Sequence, residues 1–230
     1  GEVLILSILE TQNGTNLVIE NSYPAGRLYK TMVEDENDVI SILFKDKQGR
    51  ELLKETELTP GTYVKTYYVY DNFNNLRFII PPEASKILPT NGTLTPSHTL
   101  RSTWITEFQY DGLNREVEKI MPEEEPVWTI YDPAGRVILC QDGIMRVNND
   151  WLFTKYDRKS RVVMTGIVKL IEDGVDWNTR SSVQDLINEK IGPGKPCKFY
   201  EEHTSISGHG YTNFTFPVFG RSEEHTSELQ

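Results

Sequence analysis

Cysteine and histidine are scarce in this chain, at two and four residues of 230. Cys140 and Cys197 show no C-x-x-C spacing, so neither a disulfide-dense scaffold nor a cysteine-based zinc site fits. Whether the two pair is not decided by sequence. Cys140 falls in a strand-like run and reads as a small buried hydrophobe. His203 and His209 lie six residues apart in a polar loop and His98 in another, too few and too spread for a metal centre. Basic residues are in deficit: 24 Lys and Arg against 34 Asp and Glu give a net charge of −10, which argues against a nucleic-acid footprint. No apolar run approaches the roughly 18–20 residues that a transmembrane helix needs. No nucleophile elbow, phosphate loop or dinucleotide fingerprint is present, and no cofactor is expected. Hydrophobic content is a modest 37%, consistent with sheets that keep one face wet.

What the chain has is a short signature that recurs. The clearest copy is Tyr131-Asp132-Pro133-Ala134-Gly135-Arg136-Val137. Beside it stand Tyr110-Asp111-Gly112-Leu113-Asn114-Arg115 and Tyr156-Asp157-Arg158-Lys159-Ser160-Arg161. Upstream are Tyr70-Asp71-Asn72-Phe73-Asn74-Asn75-Leu76-Arg77 and two looser copies, around Tyr23 to Arg27 and Asp46 to Arg50. Aligned on Arg27, Arg50, Arg77, Arg115, Arg136 and Arg161, they are spaced by 23, 27, 38, 21 and 25 residues. A period of this size marks an array of supersecondary units.

Each copy has the chemistry of a hairpin turn. Asp132 accepts hydrogen bonds from nearby backbone N–H groups, Pro133 arrives with its φ set, and Gly135 tolerates the positive φ of a following bulge. Gly26, Gly49 and Asn114 fill the same slot. Ser160 fits it less well, and Asn74-Asn75 lengthens its loop. β-Branched and aromatic residues dominate the flanks, as in 127–131, 136–140, 151–156 and 161–166. Within a hairpin, the Arg136 guanidinium is expected beside the Tyr131 ring.

At these residues the sequence resembles the RHS, or YD-repeat, family of bacterial surface and polymorphic toxin proteins. The resemblance runs in patches over about 20–220, most strongly at 63–82, 108–122 and 150–167. The stretch His209-Gly210-Tyr211-Thr212-Asn213 with Phe216-Pro217 is similar to a connector between repeats of that family. The resemblance implies a mainly β fold, an array of antiparallel hairpins wound into a curved sheet or shell strip. It further implies a secreted or cell-envelope location, with the remaining repeats and a C-terminal toxin effector of the same parent chain as partners. The function implied is scaffolding or encapsulation. The alternative is a cell-surface carbohydrate-binding or adhesion module, for which Trp104, Trp128, Trp151 and Trp177 are the residues to suspect.

Along the chain, repeats are expected over 1–167, interrupted by an irregular insertion near 81–102 that either replaces a hairpin or is added between two. A helix-bearing insertion and connector follow at 168–220. There Val183, Leu186, Ile187 and Ile191 share one helical face, giving one short helix near 181–191 capped by Ser181 or Ser182 and stopped by Gly192-Pro193-Gly194. The first residue is Gly1 rather than Met, which suggests a fragment. Residues 221–230 resemble translated sequencing-adapter sequence and are expected to be disordered. Without their one basic and three acidic residues the net charge goes from −10 to −8.

No catalytic or metal residues are nominated. The repeated Tyr70, Asp71 and Arg77, Tyr110, Asp111 and Arg115, Tyr131, Asp132, Gly135 and Arg136, and Tyr156, Asp157 and Arg161 read as structural, since an enzyme needs one site and not a set at every turn. Glu34-Asp35-Glu36 and Glu123-Glu124-Glu125 lack calcium-loop spacing and read as solvated loop charge. The sequons at Asn13, Asn91 and Asn213 are read as incidental.

Overall fold

The structure is a computed structural model that describes residues 2–12, 14–170, 175–205, 207 and 210–218. The chain divides into two compact units, 1–124 and 125–230. The expected adapter-like tail and His209 lie outside the described residues.

The first unit contains, in order, β1 (Leu4–Thr11), β2 (Gly14–Ser22), β3 (Tyr29–Glu34), β4 (Ile40–Lys45), β5 (Glu51–Thr59), β6 (Thr62–Tyr70), β7 (Leu76–Ile80), α1 (Pro82–Ser85), β8 (Gly92–Leu94), α2 (Thr99–Trp104), β9 (Thr106–Tyr110) and β10 (Glu116–Ile120). The second contains β11 (Val127–Tyr131), β12 (Val137–Gln141), α3 (Gly143–Val147), β13 (Asp150–Tyr156), β14 (Val162–Lys169) and α4 (Arg180–Lys190). The protein is mainly β, with antiparallel sheets and four short helices among the described residues. α1 falls in the insertion, in a stretch compatible with helix from Pro81 to about Leu88, whereas α2 and α3 were not expected; at six and five residues they are too short for a 3.6-residue periodicity to show.

In the first unit a meander runs β3-β4-β5-β6-β7-β9-β10, each strand antiparallel to its neighbour. A second sheet, β1-β2-β8, shares its core. The segment between β7 and β9 is a true insertion: β7 pairs directly with β9, Phe78 opposite Glu107, while α1, β8 and α2 lie between them in sequence. Strand alternation builds the core. Tyr67 and Val69 of β6 point inward with Leu53, Phe78 and Ile80, against Leu17, Ile19 and Leu94 of the smaller sheet.

In the second unit the order is β11-β12-β13-β14. Trp151 and Phe153 of β13 and Met164 and Val168 of β14 point to the core that α4 covers with Val183, Leu186 and Ile187. α4 begins at Arg180 with Thr179 as its N-cap residue, two residues before the expected Ser181 and three before Ser182; Ser182 instead accepts from the Asp176 N–H with its hydroxyl. Gln184 of α4 bonds both backbone groups of Tyr131, accepting from its N–H at 3.0 Å and donating to its carbonyl at 2.7 Å. The segment after β14 therefore belongs to the same core as the last two hairpins.

The copy at Tyr23 to Arg27 is not a hairpin of this kind. β2 and β3 lie in different sheets, and the turn between them is closed by Arg27 N–H to Pro24 C=O at 3.3 Å, with no Asp to order it.

Candidate functional site: the aspartate turns

Five hairpins are closed by the same local device, at Asp46, Asp71, Asp111, Asp132 and Asp157. In each, the Asp carbonyl accepts from the N–H three residues on, at 2.9–3.2 Å, and the Asp N–H donates to the carbonyl four residues on, at 2.9–3.0 Å. The third residue after each Asp has positive φ: Gly49, Asn74, Asn114, Gly135 and Ser160, between 58° and 83°. The strand ladder slips by one residue beside each turn, as at Ile130/Tyr131 and Lys155/Tyr156. This is a type I turn with a left-handed residue and a bulge. Ser160 occupies the slot at φ 59°, and the Asn74-Asn75 loop is no longer than the others.

The carboxylate organises the turn. Oδ1 accepts the N–H groups two and four residues on: 2.8 and 3.0 Å at Asp111, 2.8 and 2.9 Å at Asp157. Oδ2 takes the guanidinium of the residue four on: Arg50 Nε at 2.6 Å, Arg115 Nε at 2.7 Å, Arg136 Nε at 2.8 Å and Arg161 Nε at 2.7 Å. Charge-assisted bonds of this kind contribute about 1.5–3 kcal/mol each where they are buried. At Asp46 and Asp111 burial pushes the carboxyl up, but the bonds from the Arg side chain and the backbone N–H groups outweigh it and hold each below the usual range. At Asp157 the Arg161 N–H leads, with the same net direction.

Arg77 does not belong to this set. It stands six residues after Asp71, and the slot four residues on is Asn75, whose amide donates to Asp71 Oδ2 at 3.0 Å. Arg77 is buried and keeps only a long ion pair with Asp71 Oδ2, at 3.8 Å, while donating to Glu10 Oε1 at 2.9 Å, Thr15 Oγ1 at 2.8 Å and the Phe108 carbonyl at 2.9 Å. Asn75, not Arg77, fills the position that Arg50, Arg115, Arg136 and Arg161 hold in the other turns.

A second correction concerns the tyrosines. Arg136 lies 4.8 Å from the ring centroid of Tyr156, not over Tyr131, and Arg50 lies 5.5 Å from that of Tyr70. The bulge explains this. Tyr131 pairs with Val137 and Ile130 with Leu139, so the bulge falls at Ile138 and sets the strand twist beside the turn, while the Asp132 carboxylate aims the Arg136 guanidinium towards the following hairpin. The tyrosine of that next hairpin donates its hydroxyl back to the residue after the slot: Tyr156 to the Val137 carbonyl at 2.8 Å and Tyr110 to that of Leu76 at 3.0 Å. Burial pushes the Tyr70, Tyr110 and Tyr156 hydroxyls above the usual value. Where Asn75 replaces Arg, its amide reaches Asn114 of the next turn at 3.1 Å. The motif thus closes its own turn and grips its neighbour.

A sixth turn has the same backbone. Asp35 Oδ1 accepts the N–H groups of Asn37 and Val39 at 2.8 and 3.0 Å, and Asp38 sits at φ 60°. It joins β3 to β4, at the sheet end opposite the Asp46 turn. The acidic run hid it, although an Asp followed three residues later by a left-handed-tolerant Asp was a readable signal.

The remaining candidates are placed as follows. Trp128 and Trp151 are core residues, 6.5 Å apart between ring centroids, and Trp177 packs edge-on to Trp151 at 6.4 Å. Arg146 lies 3.6 Å over Trp128. Only Trp104 of the four is exposed. His98 caps α2, its Nδ1 accepting the Leu100 N–H at 3.2 Å, and His203 packs edge-on to Tyr211. Cys140 and Cys197 are not joined in a disulfide; Cys197 is buried and Cys140 half-buried. Among the described residues no group of three or more His, Cys, Asp or Glu could hold a metal ion, and no helix is long and apolar enough to cross a membrane.

Two buried polar groupings were not foreseen. In the first unit Arg101, over the Phe78 ring at 5.0 Å, pairs with Glu107 and donates to the Thr15 carbonyl at 2.6 Å. In the second, Lys155 of β13 pairs with Glu201 at 3.3 Å, both side chains fully buried. The signal for the latter was present: strand alternation puts Lys155 on the face of Trp151 and Phe153.

No known family profile matches the sequence, and no curated protein matches it. The crystal structure of TcdB2-TccC3-Cdc42 resembles the fold with a TM-score of 0.39 and 10% identity over 81% of this chain. The match spans 13% of that chain. A likeness of that strength assigns neither a family nor a function.

Proposed function

We propose that this chain is a structural segment of an RHS-type hairpin shell, one that scaffolds or encapsulates an effector carried on the same parent polypeptide. The observation that supports this reading most is the use of the repeated Asp and Arg side chains. Each carboxylate is engaged by its own turn, and in two turns the guanidinium lies over the tyrosine of the following hairpin. Side chains committed in this way serve propagation of a sheet rather than chemistry on a substrate. A hairpin array of this kind has no natural length limit, because each unit can present to the next the same type of turn and polar contact. The secreted or cell-surface location expected of such shells belongs to the same proposal, as does the absence of enzymatic turnover. The test is expression of the parent polypeptide with and without this segment. Loss of protease protection of the downstream effector on its removal is the expected result. An effector equally protected without it, or turnover on a broad substrate panel by the purified chain abolished by one substitution that leaves it folded, overturns the reading.

A further inference from the structure

The buried pair in the second unit has a third member. Lys155 Nζ lies 2.6 Å from Asn213 Oδ1, 3.3 Å from Glu201 Oε1 and 3.2 Å from the Thr215 carbonyl. Lys155 and Glu201 have side-chain exposures of 0%. Glu201 is held by further donors: the Thr215 N–H and hydroxyl reach Oε1 at 2.9 and 2.7 Å, and the Thr212 hydroxyl and Phe214 N–H reach Oε2 at 2.6 and 2.9 Å. A primary amine and a carboxylate are therefore held together away from water, with the half-buried carboxamide of Asn213 against the amine.

We infer that Lys155 and Asn213 join in an intramolecular isopeptide bond, with Glu201 carrying the protons. Glu201 takes one proton from the Lys155 ammonium. The freed lone pair on Nζ attacks Asn213 Cγ, forming the C–N bond as the carbonyl electrons move to Oδ1. Collapse of this tetrahedral species restores the C=O bond and breaks the bond from Cγ to Nδ2. A second proton from Nζ passes to Nδ2, and the proton held by Glu201 leaves with the ammonia as ammonium. One hydrogen stays on the new amide, Glu201 is again a carboxylate, and no oxidant or co-reactant is consumed.

Three features favour this over a passive ion pair. Fixing amine and amide in contact removes the entropy that makes the reaction negligible in solution. Burial of Lys155 and Glu201 keeps water from the amine and from its proton acceptor. Burial also pulls the Lys155 ammonium below the usual lysine value, with Glu201 opposing, so the neutral amine is more accessible than on a surface lysine, while burial raises the Glu201 carboxyl less than its Thr212, Phe214 and Thr215 donors lower it, which makes the proton transfer to Glu201 the slow step. Asn213 and β13 are far apart in sequence, so the bond ties the connector covalently to the last hairpin. This inference stands independently of the shell reading.

The test is the intact mass of the purified 230-residue chain, denatured after ageing at neutral pH, followed by tryptic mapping. The expected result is a mass short by one ammonia and a branched peptide joining Lys155 to Asn213. Lys155→Arg and Asn213→Ala should each abolish the deficit, and Glu201→Gln should slow its appearance. The wild-type mass decides even where a variant fails to fold. The full calculated mass with linear peptides overturns the inference, as does a deficit that survives Lys155→Arg, which is the mark of a succinimide at an asparagine.

Discussion

Replacing Asp132 by Ala removes the most enclosed of the turn carboxylates, 2% exposed. It deletes the acceptor for the Arg136 N–H at 2.9 Å and for the guanidinium, whose Nε and Nη2 lie 2.8 and 2.6 Å from Oδ2. Hydrogen bonds to a charged group contribute about 1.5–3 kcal/mol each, and removing one member of a buried pair costs about 3–5 kcal/mol. Arg136 retains 14% side-chain exposure and some access to water, and its bond to the Phe199 carbonyl persists. The expected loss is therefore about 2–4 kcal/mol. Asp132→Asn keeps an oxygen for the Arg136 N–H and loses the charge, so about 1–2 kcal/mol is expected. Urea unfolding followed by tryptophan fluorescence is the assay, because Trp128, Trp151 and Trp177 sit in the core of the same unit. A double-mutant cycle with Arg136→Met isolates the pair. If Asp132→Ala shifts stability by less than about 0.5 kcal/mol, the range of an ordinary surface change, the turn does not depend on its carboxylate and the reasoning fails.

Three further outcomes follow from the same geometry. Gly135→Val should cost about 2–3 kcal/mol, since φ at 83° resists a β-branched residue, whereas Ala134→Ser should stay within about 0.5 kcal/mol; equal midpoints in urea would contradict this. Tyr156→Phe should cost about 0.5–1.5 kcal/mol by leaving the Val137 carbonyl without its hydroxyl donor, and an unchanged melting temperature would show that the link between hairpins is idle. The folded-state values of Asp46 and Asp111 are depressed, so their contribution is complete above the unfolded carboxylate value near about pH 4 and is lost as pH falls through the folded values. Thermal melts should be flat from neutrality to about pH 5 and fall below that, with Arg115→Met weakening the acid dependence; a slope that Arg115→Met leaves unchanged would assign it to other carboxylates.

The hairpins were legible because turn chemistry is local. An Asp, a left-handed-tolerant residue three on and an Arg four on are all fixed by one turn's backbone, and they predict the bulge wherever they occur. What the arginine reaches beyond its own turn was not legible. The Arg136 contact with Tyr156 depends on which strand lies beside which, a matter of long-range pairing. Arg77 shows the hazard of matching by residue type: its identity fitted the motif while its position, two residues late, sent it to Glu10 and Thr15. The short strand β8 was hidden in a polar loop because three residues carry no alternation, and it forms only through pairing with β2. Lys155 and Glu201 are separated by 46 residues, so only the alternation in β13 hinted that a charge was buried.

The proposed function places this chain in the wall of a hairpin shell. Electron cryomicroscopy of the full parent polypeptide tests it most directly. The account predicts a hollow particle in which the Asp46, Asp71, Asp111, Asp132 and Asp157 hairpins follow one another along the strip, with further repeats continuing it. A parent in which this segment stands alone as a separate domain, enclosing nothing and extended by no further hairpins, would contradict it.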